Sequence, residues 1–300
     1  MTRPLVRRAI FPVAGLATRF LPVTKAQSKY VLPLLDKPTI QYAVEEAIAS
    51  SLEQVIMITG GGNSAIGEHF DRSRELEFYL EDRGKRDLLK VLAEVDRLSD
   101  QVDITYMQQK DPLGLGHAVW TARRLVEKEP CAVLLPDDVI MGGEPCLRQL
   151  MRAHADTGAT VLAVRRVSRD QISRYGIIAT GSSDGNLHEV VDMVEKPSLA
   201  DAPSDLAIFG RYVLMPDVFA ALGETKPGAG KEIQLTDAIR KTLGGGRVVA
   251  CEFEGDYYDT GTVPGYLRAN LALALKRPDL REAMLDVVRE LIDAAEITRK

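Results

Sequence analysis

The sequence predicts an α/β protein with a doubly wound, mixed but mainly parallel sheet, joined to a second β-rich part. Two observations carry that expectation. Through the first half, short continuous apolar runs alternate with amphipathic helical stretches, the pattern of strands buried on both faces by helices. Beyond His154 the spacing changes, and strand-like runs follow one another across Gly and Asp turns, as in a mixed or antiparallel arrangement.

Taken in order, Ala9 to Val13 reads as the first strand and runs into a glycine-containing turn. Thr39 to Ser50 reads as a helix and Gln54 to Thr59 as the second strand. Glu75 to Arg97, rich in Glu, Lys, Arg and Leu, reads as one or two surface helices within an insertion at 72–100. Ile104 to Gln108 and Ala132 to Pro136 are the next strands. Thr160 to Val167, Tyr175 to Thr180, Glu189 to Glu195 and Ala207 to Met215 are strand-like. Glu232 to Leu243 is helical, Val248 to Glu254 a strand, and Gly265 to Lys276 a helix. In the last helix, Asp279 to Ala295, the stripe Leu280, Met284, Val287, Val288, Leu291 and Ile292 requires a partner surface. The expected division is an α/β core over 1–155, a continuation over 156–264, and C-terminal helices over 265–300.

Composition narrows the class. The chain has 300 residues, 45% hydrophobic and 27% charged, as an ordinary globular protein has. Its net charge of −5 argues against a nucleic-acid or membrane binder. Cys131, Cys146 and Cys251 are too few and too irregularly spaced for a disulfide framework or a zinc site. No signal peptide is expected ahead of Arg7-Arg8, and no apolar run reaches membrane-spanning length. The expected location is a reducing cytoplasm.

Against that acidic background, Arg19, Lys25 and Lys29 fall within eleven residues, directly after the first strand. A cationic turn at the carboxyl end of a buried strand is where open α/β sheets hold phosphates. Arginine offers a fixed fork to phosphate oxygens and lysine a mobile point charge. Asp137 is expected to end the apolar strand A-V-L-L-P-D-D, at the carboxyl edge of the sheet where ligands collect.

The stretch Gly15 to Pro33 resembles the signature G-x-G-T-R-x-x-P-x-T-x-x-x-x-K-x-x-L-P of the sugar-1-phosphate nucleotidylyltransferases. The similarity continues through Q-Q-K-D-P-L-G-L-G-H-A (108–118), L-L-P-D-D (134–138), V-E-K-P (194–197), G-A-G-K-E-I-Q-L-T-D-A-I (228–239) and Y-D-T-G-T-V-P-G-Y (258–266). Within that family the chain is most similar to the bacterial UTP–glucose-1-phosphate uridylyltransferases. Three positions depart from the family pattern. Ala17 replaces the second turn glycine, Tyr30 stands where a carboxylate is usual, and Val263 stands where lysine is frequent. At Ala17 a methyl costs about 1 kcal/mol if φ must be positive.

The resemblance implies a Rossmann-like, glycosyltransferase-A-like nucleotidyltransferase fold and a reaction between UTP and glucose 1-phosphate that gives UDP-glucose and pyrophosphate. It implies that Arg19, Lys29 and Lys25 meet phosphates, and that Ala14, Gly15, Leu16, Gln109 and Gly114 form the nucleotide pocket. Gly176, Glu195 and Lys196 would meet the sugar phosphate, and Asp137 with Asp259 would hold Mg²⁺. Asp138, Asp192 and His117 read as structural; Glu232, Gln234, Thr236 and Asp237 are either sugar-side residues or parts of a capped helix. A homodimer or homotetramer is expected, partly through the last helix. Two rivals stay open: a thymidylyltransferase, and a non-catalytic relative that binds nucleotide sugars. A Rossmann dehydrogenase is excluded, because G-L-A-T-R-F lacks G-x-G-x-x-G.

Overall fold

The computed structural model describes residues 5–61, 64–126, 128–243 and 248–297, so the ends of the outermost parts expected from sequence, at 1–4 and 298–300, lie outside the described residues. Thirteen strands are described: β1 (Arg8–Val13), β2 (Pro33–Leu34), β3 (Lys37–Pro38), β4 (Gln54–Thr59), β5 (Asp103–Gln108), β6 (Cys131–Leu134), β7 (Asp138–Met141), β8 (Thr160–Arg166), β9 (Gly176–Asp184), β10 (Leu187–Glu195), β11 (Leu206–Leu214), β12 (Val248–Glu252) and β13 (Asp256–Asp259). The helices are α1 (Thr39–Ala49), α2 (Ser64–Phe70), α3 (Arg74–Asp82), α4 (Arg86–Gln101), α5 (Leu115–Thr121), α6 (Arg123–Val126), α7 (Cys146–Thr157), α8 (Pro216–Gly223), α9 (Leu235–Thr242), α10 (Val263–Lys276) and α11 (Pro278–Ile297).

Nine strands form one mixed sheet in the order β5-β4-β1-β6-β11-β8-β12-β10-β9. Its first four strands are parallel neighbours. From β6 onward antiparallel pairs dominate, with β12 beside β8 the exception. The parallel share is therefore smaller than the apolar runs led one to expect. The reason is connectivity: β9 and β10 form a hairpin closed at Gly185, whereas parallel strands need a crossover. The strands of the second half continue the first half's sheet.

Alternation along each strand builds a core on both faces. Ala9, Phe11 and Val13 of β1 join α1 and α7 on one side, while Ile10 joins α5, α8 and α9 on the other. A smaller cluster of Leu34, Val139, Tyr258, Ala269 and Leu273 seats α10 on the β7–β13 ribbon. The three cysteines are buried and free. On α11, Leu280, Met284 and Val288 are half-buried, but Val287, Leu291 and Ile292 stay exposed. Among the described residues no helix is long and apolar enough to cross a membrane.

Sequence periodicity missed the small elements. The two-stranded pieces β2–β3 and β7–β13 are too short to show a period, and α7 and α8 were not read as helices. Asp137 does not end the strand before it. That strand stops at Leu134, and Asp137 lies in the turn leading into β7.

Candidate active site

The segment after β1 folds as three short 3₁₀ turns, Thr18–Phe20, Val23–Lys25 and Lys29–Val31. Ala17 opens the first with φ 49° and ψ 42°, a left-handed conformation for a residue that carries a Cβ. Its carbonyl accepts from the Thr24 hydroxyl at 2.8 Å, which closes the loop on itself. Phe20 is buried and meets the ring of Tyr266 edge-on, at 5.8 Å between centroids. Tyr30 drops into the core, where its hydroxyl donates to the Pro12 carbonyl of β1 at 3.2 Å. Tyr30 is thus a core residue that ties the loop to the strand feeding it.

Two cavities adjoin along the carboxyl end of the parallel strands. One, of about 530 Å³, is lined by Ala14, Gly15, Leu16, Gln109, Gly114 and Asp137, among others. The other, of about 570 Å³, is lined by Arg19, Arg174, Gly176, Glu195, Lys196 and Asp259, among others. Leu115, Leu135, Asp137 and Glu232 belong to both walls. The structure therefore brings all the expected residues but Lys25 and Lys29 to the lining of this paired site. Lys25 is exposed and lines neither cavity. Lys29 lies behind Asp137, with its ammonium 2.5 Å from Asp137 Oδ2 and 4.9 Å from the centre of the Tyr30 ring. Burial alone would lower the pKa of Lys29, but Tyr30 and Asp137 outweigh it and the net shift is upward, so the lysine is charged at neutral pH.

Gln109 is buried, and its side-chain nitrogen already serves the protein, bonding to Gly114 O at 3.2 Å and His117 Nδ1 at 2.9 Å. His117 thus orients Gln109. Gly114 has φ 102°, and a Cβ there would lie 2.6 Å from Glu232 Cβ, so only glycine fits. Backbone bonds join the two segments, Gly116 N–H to Ile233 O at 2.8 Å and Ile233 N–H to Leu113 O at 2.7 Å.

On the opposite wall, Glu195 Oε2 accepts from the Thr236 hydroxyl at 2.7 Å, and Oε1 lies 3.2 Å from Lys196 Nζ. Lys196 has φ 46°, held by its N–H bond to Tyr175 O. Thr236 therefore faces the site, while Asp192 pairs with Arg240 and lines neither cavity. Asp237 borders a separate surface hollow beside Arg240 and Lys241.

Antiparallel pairing of β7 with β13 sets Asp138 opposite Asp259, and Thr260 N–H and Oγ1 both bond to Asp137 O at 2.8 Å. The carboxylates of Asp137 and Asp259 consequently converge. A methyl built on Gly261 would lie 2.7 Å from Asp137 Oδ2 and 3.1 Å from Asp259 Oδ1. Asp138 turns inward instead, accepting from Tyr257 Oη at 2.6 Å and Gly210 N–H at 2.9 Å, and burial pushes its carboxyl up to about 7.

Two arginines, one in the site and one behind it, are not singled out by the sequence motifs. Arg174, in R-Y-G, lies 3.1 Å from Asp259 Oδ2. Arg211 is 1% exposed and spends all five guanidinium hydrogens: two bonds to Glu46 Oε2, and one each to the carbonyls of Leu135, Gly210 and Asp138. A buried arginine inside the apolar run Leu206–Leu214 could have been noticed as an anomaly, but its partners could not.

A mixed sheet with a cationic loop after its first strand, and paired carboxylates across the cavity, defines a phosphate-handling transferase. The chain belongs to the nucleotidyl transferase family, whose model matches residues 9–276. Curated relatives narrow the branch. A UTP–glucose-1-phosphate uridylyltransferase of Bacillus subtilis is 47% identical over 97% of this chain and 99% of its own length. Another, from Staphylococcus haemolyticus, is 46% identical over 95% of this chain and 98% of its own. Among solved structures, a UTP-bound UGPase from Acinetobacter baumannii matches with TM-score 0.88 and 36% identity, covering 96% of this chain and all of that one. A UDP-glucose pyrophosphorylase complexed with UDP-glucose matches with TM-score 0.83 and 39% identity, over 91% of this chain and all of the other.

Proposed function

We propose that this protein makes UDP-glucose, transferring a uridylyl group from UTP to glucose 1-phosphate with release of pyrophosphate. The observation that carries the reading is near-full-length identity of 47% to a relative named for that activity. Both reactants are polyanions, so the catalyst must neutralise, align and stabilise an in-line phosphoryl transfer; no nucleophilic side chain is required.

The nucleotide lies in the cavity of Ala14, Gly15, Leu16 and Gly114. Gln109, with its nitrogen committed to Gly114 and His117, has its amide oxygen left to accept from the N3–H of uracil. Arg19 clamps the departing pyrophosphate, and Lys29 meets phosphate near the bond that breaks. Lys25, exposed on the same loop, adds a second charge. Glu195 accepts from glucose hydroxyls, Lys196 holds the sugar phosphate, and the Gly176 backbone contacts a sugar hydroxyl.

Asp137 and Asp259 fit a Mg²⁺ ion. Their oxygens converge over Gly261, and among the described residues no third carboxylate, histidine or cysteine joins them. Two carboxylates leave room for the waters and phosphate oxygens this ion prefers. When bound, it supplies charge neutralisation at the transferred phosphoryl group. The protein acts in the cytoplasm and serves envelope or exopolysaccharide synthesis. It assembles as a homodimer or homotetramer, burying Val287, Leu291 and Ile292 of α11.

Pyrophosphate release measured with Mg²⁺ and glucose 1-phosphate tests the reading. UTP should be turned over in preference to dTTP. A preference for dTTP would reassign the chain to the thymidylyltransferases. Calorimetric binding of UTP without turnover of either would mark a binding protein.

A further inference from the structure

Both carboxylates that converge over Gly261 already have cationic partners. Lys29 Nζ lies 2.5 Å from Asp137 Oδ2, and Arg174 Nη2 lies 3.1 Å from Asp259 Oδ2. Two anions brought this close repel unless neutralised, and the Lys29 pair is largely shielded from water, with side chains 14% and 24% exposed. Moreover, Asp137 Oδ2 is at once the atom that Lys29 holds and the one that, with Asp259 Oδ1, borders the space over Gly261. Lys29 gives one hydrogen bond to Asp137 and rests against the Tyr30 side chain, so the carboxylate takes only part of what an ammonium with three hydrogens can give. Arg174 lines the larger cavity directly.

We infer that Lys29 and Arg174 are exchangeable counter-ions. In the free protein they occupy the carboxylate pair in place of a divalent cation, and they are released to the phosphates when that pair is taken. Lys29 and a divalent cation cannot share one oxygen without strong repulsion, so either displaces the other. Once displaced, the ammonium needs an anion, and the nucleotide supplies one. Cation binding and phosphate binding then favour each other by the same factor, as linkage requires. This rests on the reading of Asp137 and Asp259 as a metal pair, and it assigns Arg174 a role that no sequence feature gave it.

The test is made on the nucleotide-free protein, with Mn²⁺ as probe and its electron paramagnetic resonance signal as readout. Lys29→Met should bind Mn²⁺ about tenfold more tightly than the unaltered protein. Arg174→Met should gain about threefold, its pair being more exposed. Lys196→Met, whose partner is Glu195, should gain nothing, and adding Asp137→Asn to Lys29→Met should cancel its gain. Unchanged Mn²⁺ affinity in Lys29→Met, with weakened affinity in Asp137→Asn, would overturn the exchange and leave the metal pair standing. No Mn²⁺ binding by any form, with or without UTP, would overturn both.

A reciprocal arm needs no lysine variant. In EDTA, calorimetry should find UTP bound about tenfold more tightly by Asp137→Asn than by the unaltered protein, because Lys29 is freed. Glu232→Gln removes a carboxylate from both cavity walls and should give a much smaller gain. Equal gains in the two would reduce the effect to general repulsion and sink the exchange.

Discussion

The turn at residues 135–138 is approached by two cations, Arg211 and Lys29, and the two are bonded in opposite ways. Arg211 is 1% exposed, and each of its five hydrogens has an acceptor, two of them on Glu46 Oε2. Glu46 in turn accepts the Leu147 N–H with its other oxygen, so α1, α7, β11 and the turn are joined through one buried pair. Lys29 bonds to Asp137, rests against the Tyr30 side chain and keeps partial contact with water. A charge with every donor matched has nowhere better to go. One with donors to spare can change partners at modest cost. The comparison teaches that the same turn is fixed in its backbone by Arg211 and left adjustable at its carboxylate by Lys29.

The contrast can be broken by stability measurements. Glu46→Ala leaves the Arg211 guanidinium buried without its counter-ion and should cost about 3–5 kcal/mol in urea-denaturation stability. Lys29→Met removes a largely shielded partner from a carboxylate that still reaches water and should cost less, about 1–2 kcal/mol. Comparable losses in the two variants would mean that Lys29 is a structural brace as well, and that the turn has no adjustable side.

These two cations also mark what the sequence could and could not show. Lys29 was legible because it sits at a fixed spacing from Gly15, Arg19 and Pro33, all within one local segment. Asp137, Glu195 and Asp259 were legible for the same reason, each in a short motif. Arg174 and Arg211 act across 85 and 165 residues of chain, and no local spacing records such a pairing. Likewise the apolar runs showed which segments are strands, but not that β11 would enter between β6 and β8 and reverse the sheet's direction. Pairing order is set by long-range packing, which a period-2 pattern does not encode. His117 and Tyr30 read as packing residues or departures; the structure gives each a hydrogen bond, to Gln109 and to Pro12.

Tyr30 allows the adjustable side to be probed more finely. Tyr30→Phe keeps a ring under the Lys29 ammonium and deletes the bond to the buried Pro12 carbonyl, which should cost about 1–2 kcal/mol. Burial pushes the phenol of Tyr30 up to about 12. A raised folded-state value stabilises fully below the unfolded value near 10, and that contribution is lost only as pH climbs toward 12. The stability difference between Tyr30→Phe and the unaltered protein should therefore stay flat from about pH 6 to 9. A difference that changes with pH in that window would show the hydroxyl coupled to another titrating group, and the loop less simply anchored than its one bond implies.

Ala17 sharpens the comparison from the loop's other end. The brace around Arg211 and Glu46 includes no residue at positive φ, whereas the loop that carries Lys29 begins with alanine at φ 49° and ψ 42°. Holding a Cβ there costs about 1–2 kcal/mol, and glycine would relieve it while adding roughly 0.5–1 kcal/mol of chain entropy to the unfolded state. Ala17→Gly should therefore raise stability by about 0.5–1 kcal/mol, read as an upward shift of the urea midpoint at unchanged slope. The strain belongs to the loop and not to the turn at 135–138, so the gain should persist undiminished in a Glu46→Gln background. A loss of stability would show that the alanine methyl packs usefully against its surroundings. A gain that vanishes when Glu46 is altered would show that the two sides of the turn are one cooperative unit, and the division between them would fall.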